Sequence, residues 1–179
     1  MLDRRPGGRT GHRPGTHRHR RPQRGRRSGG DDGVAGAGPG APALCFQLLE
    51  IPELDDRLET PSAKAFTDTP LWNRPNAEWS WRHYLGPDHT GEVSPYAAPA
   101  RATDLSNLPP AYISTMEFNP LRDEGILYAM RLLEAGVSVE LHSYAGTFHG
   151  STQFPGAEAS RRNLAETITR LKRRLGPRD

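Results

Sequence analysis

Hydrophobic residues along positions 108–175 recur first with the spacing of a strand and then with that of a helix, twice in succession. The run 111–116, which follows two prolines, predicts one strand, and the alternation of apolar and polar residues over 137–144 predicts another. Strands joined through a helix lie parallel, with a right-handed crossover. The order strand, helix, strand, helix therefore predicts an α/β fold with a parallel sheet.

Two apolar stripes predict the helices of this unit. The first helix is expected over 122–135, with acidic residues in its first turn and Gly136 as its C-terminal cap. The second is expected from about residue 156 to residue 175. The stripes consist of Ile126, Ala129, Met130 and Leu133 in the first helix and of Leu164, Ile168, Leu171 and Leu175 in the second.

The part of the chain before this unit carries weaker signals. Residues 44–51 are apolar enough for a buried strand, which Pro52 would end. Proline-rich, polar sequence then extends to about residue 110, and within it only 76–85 has the pattern of a helix, with Asn76 as its cap.

The first 40 residues differ in composition from the rest. They contain ten Arg against three Asp, a net charge of +7, whereas residues 41–179 carry 14 basic and 18 acidic side chains, a net charge of −4. With eleven glycines and no aromatic residue, residues 1–40 have too little apolar surface to offset the entropy of ordering, and we expect a disordered arm. Residues 41–179 are expected to form one domain, after a linker over 34–43.

Composition also excludes several classes of protein. A single cysteine, Cys45, excludes a disulfide scaffold. No stretch approaches the roughly 18 apolar residues of a membrane span, and the basic start lacks the apolar core of a secretory signal. We therefore expect a cytoplasmic protein with no membrane partner, and nothing in the sequence calls for a cofactor or a metal.

Candidate chemistry lies in the loops after the two late strands, 117–125 and 146–150, because functional groups collect beyond the carboxyl ends of parallel strands. His149 stands between Gly146 and Gly150 on the second loop. It is either an exposed general base or a loop histidine that caps the final helix.

Several motifs in this order resemble the C-terminal half of an α/β-hydrolase, in the esterase/lipase branch related to hormone-sensitive lipase. The motifs are residues 108–113, 117–125, Tyr128-Ala129, Leu132, 135–137 and 148–150. The resemblance implies a partial α/β-hydrolase fold, small-molecule ester substrates and a Ser-His-Asp mechanism. It assigns the family's histidine to His149. The acid position holds Asn119, which cannot compensate an imidazolium charge; Asp123 is a substitute acid or, as we favour, a helix N-terminal charge.

The family's nucleophile motif, Gly-x-Ser-x-Gly, and its oxyanion segment are absent from the sequence. Ser28 precedes two glycines but has neither a strand before it nor a helix after it, so we do not favour it as the nucleophile. We expect this chain to be inactive alone, and to oligomerise, aggregate or need a missing N-terminal half, because a partial sheet exposes an unpaired edge. The substrate is not readable from the sequence.

Other features have alternative interpretations. The aromatic residues Trp72, Trp79, Trp81 and Tyr84 either line an acyl pocket or, as we favour, pack a short helix. Asp55-Asp56 and Asp88-His89 are interpreted as solvated charges. The arm is a genuine segment that binds nucleic acid without specificity, a weak metal site through His12, His17 and His19, or an out-of-frame start. We favour the last, because 22 Arg against 2 Lys indicates a GC-rich gene.

Overall fold

The computed structural model describes residues 44–176, so the predicted disordered arm and most of the predicted linker lie outside the described residues. The elements are β1 (Gln47–Glu50), α1 (Pro61–Ala65), α2 (Arg74–Leu85), a 3₁₀ turn (Pro99–Arg101), β2 (Ala111–Phe118), α3 (Arg122–Glu134), β3 (Val139–Phe148), a second 3₁₀ turn (Ser151–Gln153) and α4 (Glu158–Leu175). The α/β fold predicted from the alternation of spacings is confirmed.

The described strands form one parallel sheet in the order β1-β2-β3. Gln47 pairs with Ala111, which in turn pairs with Val139. The pairing of β2 with β3 runs on to Phe118 and Phe148, past a register irregularity between Met116 and Phe118. β1 is shorter than predicted and only half-buried, because among the described strands it has a neighbour on one side alone.

α3 covers one face of the sheet. Its core residues Tyr128, Ala129 and Leu132 form a buried cluster with Ala111 and Ile113 of β2. The predicted stripe was wrong in part: Ala129 is buried, but Met130 is 51% and Leu133 is 56% exposed. Gly125 explains the difference. A Cβ there would lie 2.9 Å from Thr115 Cγ2, so glycine lets this side of α3 approach the strand closely.

α4 covers the other face, and it does so with its polar side. Its buried residues are Ser160, Asn163 and Thr167. The Thr167 hydroxyl donates to Glu50 Oε1 on β1 (3.0 Å). Glu166 accepts a hydrogen bond from the Tyr144 hydroxyl on β3. The predicted packing stripe is therefore wrong for this helix: Leu164 is 58%, Ile168 is 42% and Leu175 is 65% exposed.

The exposed stripe of α4 faces the β1 side of the sheet. Glu166 and Arg170 contact β3, whereas Thr167 contacts β1. Successive residues of a helix are separated by about 100°. The stripe residues therefore lie beyond Thr167, on the side away from β3. The free edge of β1 and the apolar stripe of α4 lie on the same side of the described molecule. We name this edge and this stripe together the open side.

The segment between β1 and β2 holds more structure than predicted. α1 was missed; Thr60 caps it by accepting the Ala63 N–H (3.2 Å). α2 begins at Arg74 rather than at residue 76, because Asn73 is the cap and accepts the Asn76 N–H (3.2 Å). Packing of α2 uses mainly Ala77 and Trp81, both buried.

Candidate active site

His149 directly follows the last residue of β3, and Gly150, at φ +75°, turns the chain immediately after it. Its imidazole stacks on the indole of Trp72, with ring centroids 5.1 Å apart and planes 22° apart. Burial disfavours the charged ring and lowers the pKa of His149 to about 4. At neutral pH the imidazole is therefore neutral, the state that a general base requires.

Asn119 directly follows β2 and is fully buried. Its side-chain Oδ1 accepts the Leu121 N–H (3.1 Å), and its backbone carbonyl accepts the Arg122 N–H (3.0 Å). These bonds turn the chain from β2 into α3. The amide Nδ2 is buried and has no hydrogen-bond partner among residues 44–176.

Strand register brings the two predicted site residues to neighbouring positions. Phe118 pairs with Phe148, and Asn119 and His149 are the next residues on each strand. His149 Nδ1, like Asn119 Nδ2, is buried without a partner in the described part of the chain. A donor amide and an imidazole nitrogen therefore both lack partners among the described residues, at one edge of the sheet.

Asp123 is engaged elsewhere. Its Oδ2 accepts the Ser62 N–H (2.7 Å), and its Oδ1 accepts from Arg122 Nε (2.8 Å). Burial acts to raise the pKa of Asp123, but the hydrogen bonds from Arg122 and Ser62 outweigh it and the pKa is lowered. The carboxylate thus joins α1 to the start of α3, and acting as a substitute acid would require breaking these bonds.

Two residues of this edge were missed by the sequence analysis. The Ser62 hydroxyl donates to the Pro120 carbonyl (2.9 Å) and accepts the Asp123 N–H (3.0 Å). Glu124, predicted as a helix-terminal charge, is 2% exposed, and its Oε1 accepts the Leu54 N–H (2.5 Å). Burial raises the pKa of Glu124 to about 8. The Thr-Pro-Ser sequence at the start of α1 was the available signal for Ser62, whereas nothing in the sequence indicated the burial of Glu124.

Among the other predicted charges, the interpretation of Asp55-Asp56 as solvated is wrong. Asp55 is buried and pairs with Arg57 (2.7 Å), and Asp56 pairs with Arg101 (2.5 Å). Asp88 and His89 are exposed, as expected. Ser28 and the three arm histidines lie outside the described residues. Within residues 44–176, no group of three or more His, Cys, Asp or Glu side chains is placed to hold a metal ion.

The helices of residues 44–176 include none with the length and apolar character of a membrane span. Cytoplasmic placement stays a prediction from the sequence.

The parallel sheet, its two helical layers and the loops at its carboxyl edge fit the last part of an α/β-hydrolase fold. A family model described as the alpha/beta hydrolase fold matches residues 34–153, and the chain belongs to this family, which confirms the resemblance found in the sequence. Carboxylesterase NlhH of Mycobacterium tuberculosis is 41% identical over 145 residues, covering 76% of this chain and 44% of that protein.

Solved structures of esterases have the same fold as the described part of this chain. A bacterial heroin esterase superposes with a TM-score of 0.75 at 60% identity, over 77% of this chain and 45% of its own. Esterase LipW from Mycobacterium marinum superposes with a TM-score of 0.72 at 38% identity, over 80% of this chain and 44% of its own. The chain thus spans less than half the length of these relatives.

Proposed function

We propose that this chain supplies the histidine-bearing part of a carboxylic-ester hydrolase and is inactive until a second part supplies the nucleophile. The observation that carries the proposal is the register that puts Asn119 and His149 on neighbouring strand ends. A serine placed beside them would attack the ester carbonyl, and His149 would take its proton and return it to the leaving group. The names of the relatives, esterases and carboxylesterases, support small-molecule esters as the substrates.

The identity of residue 119 determines how effective His149 would be as the general base. An amide NH₂ that donates to His149 Nδ1 leaves the proton on Nε2, so Nε2 cannot accept the proton of a serine. A carboxylate would instead accept the proton of Nδ1 and leave Nε2 free. Asn119 therefore favours a weak base, and it also supports the second candidate, a member of the family without hydrolytic activity.

The open side supports the need for a second part. Within residues 44–176 the open side combines an unpaired parallel edge with an adjacent exposed apolar stripe, and isolated proteins bury or protect such features. A strand paired with β1, followed by a helix packed on Leu164 and Ile168, would cover both. A nucleophile at the carboxyl end of that strand would stand at the same edge as His149, since parallel strands end together.

The test is a chimera that joins residues 44–179 to the amino-terminal half of carboxylesterase NlhH, assayed with nitrophenyl acetate. The chain alone should show no serine-dependent turnover. The chimera should be weakly active, and Asn119→Asp should raise its turnover by up to about 10⁴-fold, the size of the change in the serine-protease example. In the unjoined chain the same substitution should change nothing, because triad members act as a unit.

Two controls separate the possibilities. His149→Ala should abolish activity of the Asn119→Asp chimera, whereas His142→Ala, at a histidine on the α4 face, should not. Fluorophosphonate labelling of Ser28 in the unjoined chain, or hydrolysis by that chain that His149→Ala removes, would contradict the proposal. An Asn119→Asp chimera that folds but stays inactive would favour the candidate without hydrolytic activity.

Binding of nucleic acid by the basic arm has less support, because the arm has no aromatic residues for stacking. A salt-dependent gel shift tests it.

A further inference from the structure

A cleft opens at the carboxyl edge of the sheet, between the end of β1 and α2. It has a volume of about 320 Å³ and is lined by Glu53, Ser80, Trp81, Tyr84 and Ala97. Glu53 lies three residues beyond the end of β1, whereas the aromatic residues come from α2. The cleft therefore lies at the same edge of the sheet as His149, but His149, Asn119 and Trp72 are not among the residues that line it.

Among the described residues, the one charged group that lines the cleft is the carboxyl group of Glu53. Glu53 Oε2 accepts the Ser80 hydroxyl (2.9 Å), but Glu53 Oε1 is buried without a hydrogen-bond partner among the described residues. No basic side chain of residues 44–176 lines the cleft. Burial raises the pKa of Glu53, and the bond from Ser80 opposes that rise in part. A cation that entered the cleft would face the Glu53 carboxyl group, whose side-chain donor among the described residues is the Ser80 hydroxyl alone.

The rest of the lining suits an organic cation better than a hydrated metal ion. Trp81 is 7% exposed and Tyr84 is 66% exposed, so one ring forms part of the core and the other remains accessible from solvent. Aromatic faces attract ammonium groups, and aromatic residues around a carboxylate are a usual environment for quaternary amines. One carboxylate and one hydroxyl supply too few oxygen ligands for a divalent metal.

We propose that the Glu53 cleft binds an ammonium group carried by the ester substrate, which makes amine-bearing esters the preferred substrate class. This inference rests on the proposed function, because a nucleophile delivered by a strand paired with β1 would stand beside the residues that follow β1, among them Glu53. The cleft then lies on the substrate side of the site, and Glu53 is a specificity-determining residue rather than a catalytic one.

The test compares two probes of the same shape on the full chain, acetylcholine and its uncharged analogue 3,3-dimethylbutyl acetate. The chain alone is expected not to hydrolyse either, so dissociation constants can be measured by saturation-transfer NMR. Acetylcholine should bind about tenfold more tightly than the analogue. Glu53→Gln should remove the difference, whereas Glu134→Gln, at an exposed carboxylate on α3, should retain it.

Tyr84→Leu provides a second variant at an exposed position, in case Glu53→Gln does not fold, and it should reduce the preference severalfold. Equal binding of both probes, binding of neither, or a preference that survives Glu53→Gln would overturn the inference. The chimera of the preceding section separates the two proposals. Preference without hydrolysis would refute only the proposed function, and hydrolysis without preference would refute only this cleft assignment.

Discussion

Removing the indole of Trp72 should raise the pKa of His149. Burial lowers that pKa from 6.5 to about 4, which corresponds to at most about 3 kcal/mol of preference for the neutral ring, since solvent screens part of the effect. Trp72 covers one of the two faces of the imidazole. Trp72→Ala should therefore remove roughly half of the effect and bring the pKa to about 5. The matched control is Trp79→Ala, which removes an exposed indole stacked on His83.

The assay is an NMR titration of the Cε1 proton of His149, assigned among the seven histidines by comparison with His149→Gln. Trp79→Ala should leave the titration of His149 unchanged. Because the folded pKa lies below the unfolded value, the linked stability is present above pH 6.5 and is lost as the pH falls toward about 4. An ordinary pKa in the unsubstituted chain, or a pKa that stays near 4 in Trp72→Ala, would refute the reasoning.

Two further predictions concern stability and association. Burial raises the pKa of Glu124 from 4.5 to about 8, so up to about 5 kcal/mol of linked stability is present below pH 4.5 and is lost as the pH rises through 8. Glu124 Oε2 is buried without a hydrogen-bond partner among the described residues, so Glu124→Gln replaces one buried O–H of the protonated acid with two buried amide N–H groups. The substitution should cost about 1–3 kcal/mol at pH 5, yet give the more stable protein at pH 9. A difference in the free energy of urea unfolding between the two proteins that is the same at both pH values would contradict this. In size-exclusion chromatography the chain should elute above its 19.8 kDa monomer mass, and Leu164→Gln with Ile168→Gln should shift it toward monomer. Leu133→Gln, which changes an equally exposed leucine on α3, should leave the elution volume unchanged. An unsubstituted chain that is monomeric and melts cooperatively would refute association through the open side.

The strands and helices of residues 108–175 could be predicted because local spacing decides their type. Which sides of α3 and α4 pack against the sheet could not be predicted. In α3 the closest contact is made by Gly125, which counts for little in an apolar pattern. In α4 the residues against the sheet are polar and bond to Glu50 and Tyr144, which are distant in sequence. Burial there depends on tertiary partners, and the exposed stripe that dominated the pattern points to a surface still to be covered.

The candidate site divides in the same way. Positions 119 and 149 were predicted because each stands within a recognisable motif in the loop after a predicted strand, and the structure puts them next to the ends of β2 and β3. The stacking of Trp72 on His149 could not, since it joins residues 77 positions apart. Glu53 carries no sequence signal either; its unpartnered oxygen is visible only once α2 has packed beside the end of β1.

The pairing distances also bear on the order of folding. Ala111 pairs with Val139, 28 positions further along, and the helix that joins their strands lies between them. Gln47 pairs with Ala111 across 64 positions. Loop closure costs less over the shorter span, and low contact order speeds folding. The unit β2–α3–β3 should therefore act as the folding nucleus, and β1 should add to a surface that already exists. The sheet then grows outward from β2, so β1, at its edge, is the last of the three strands to pair.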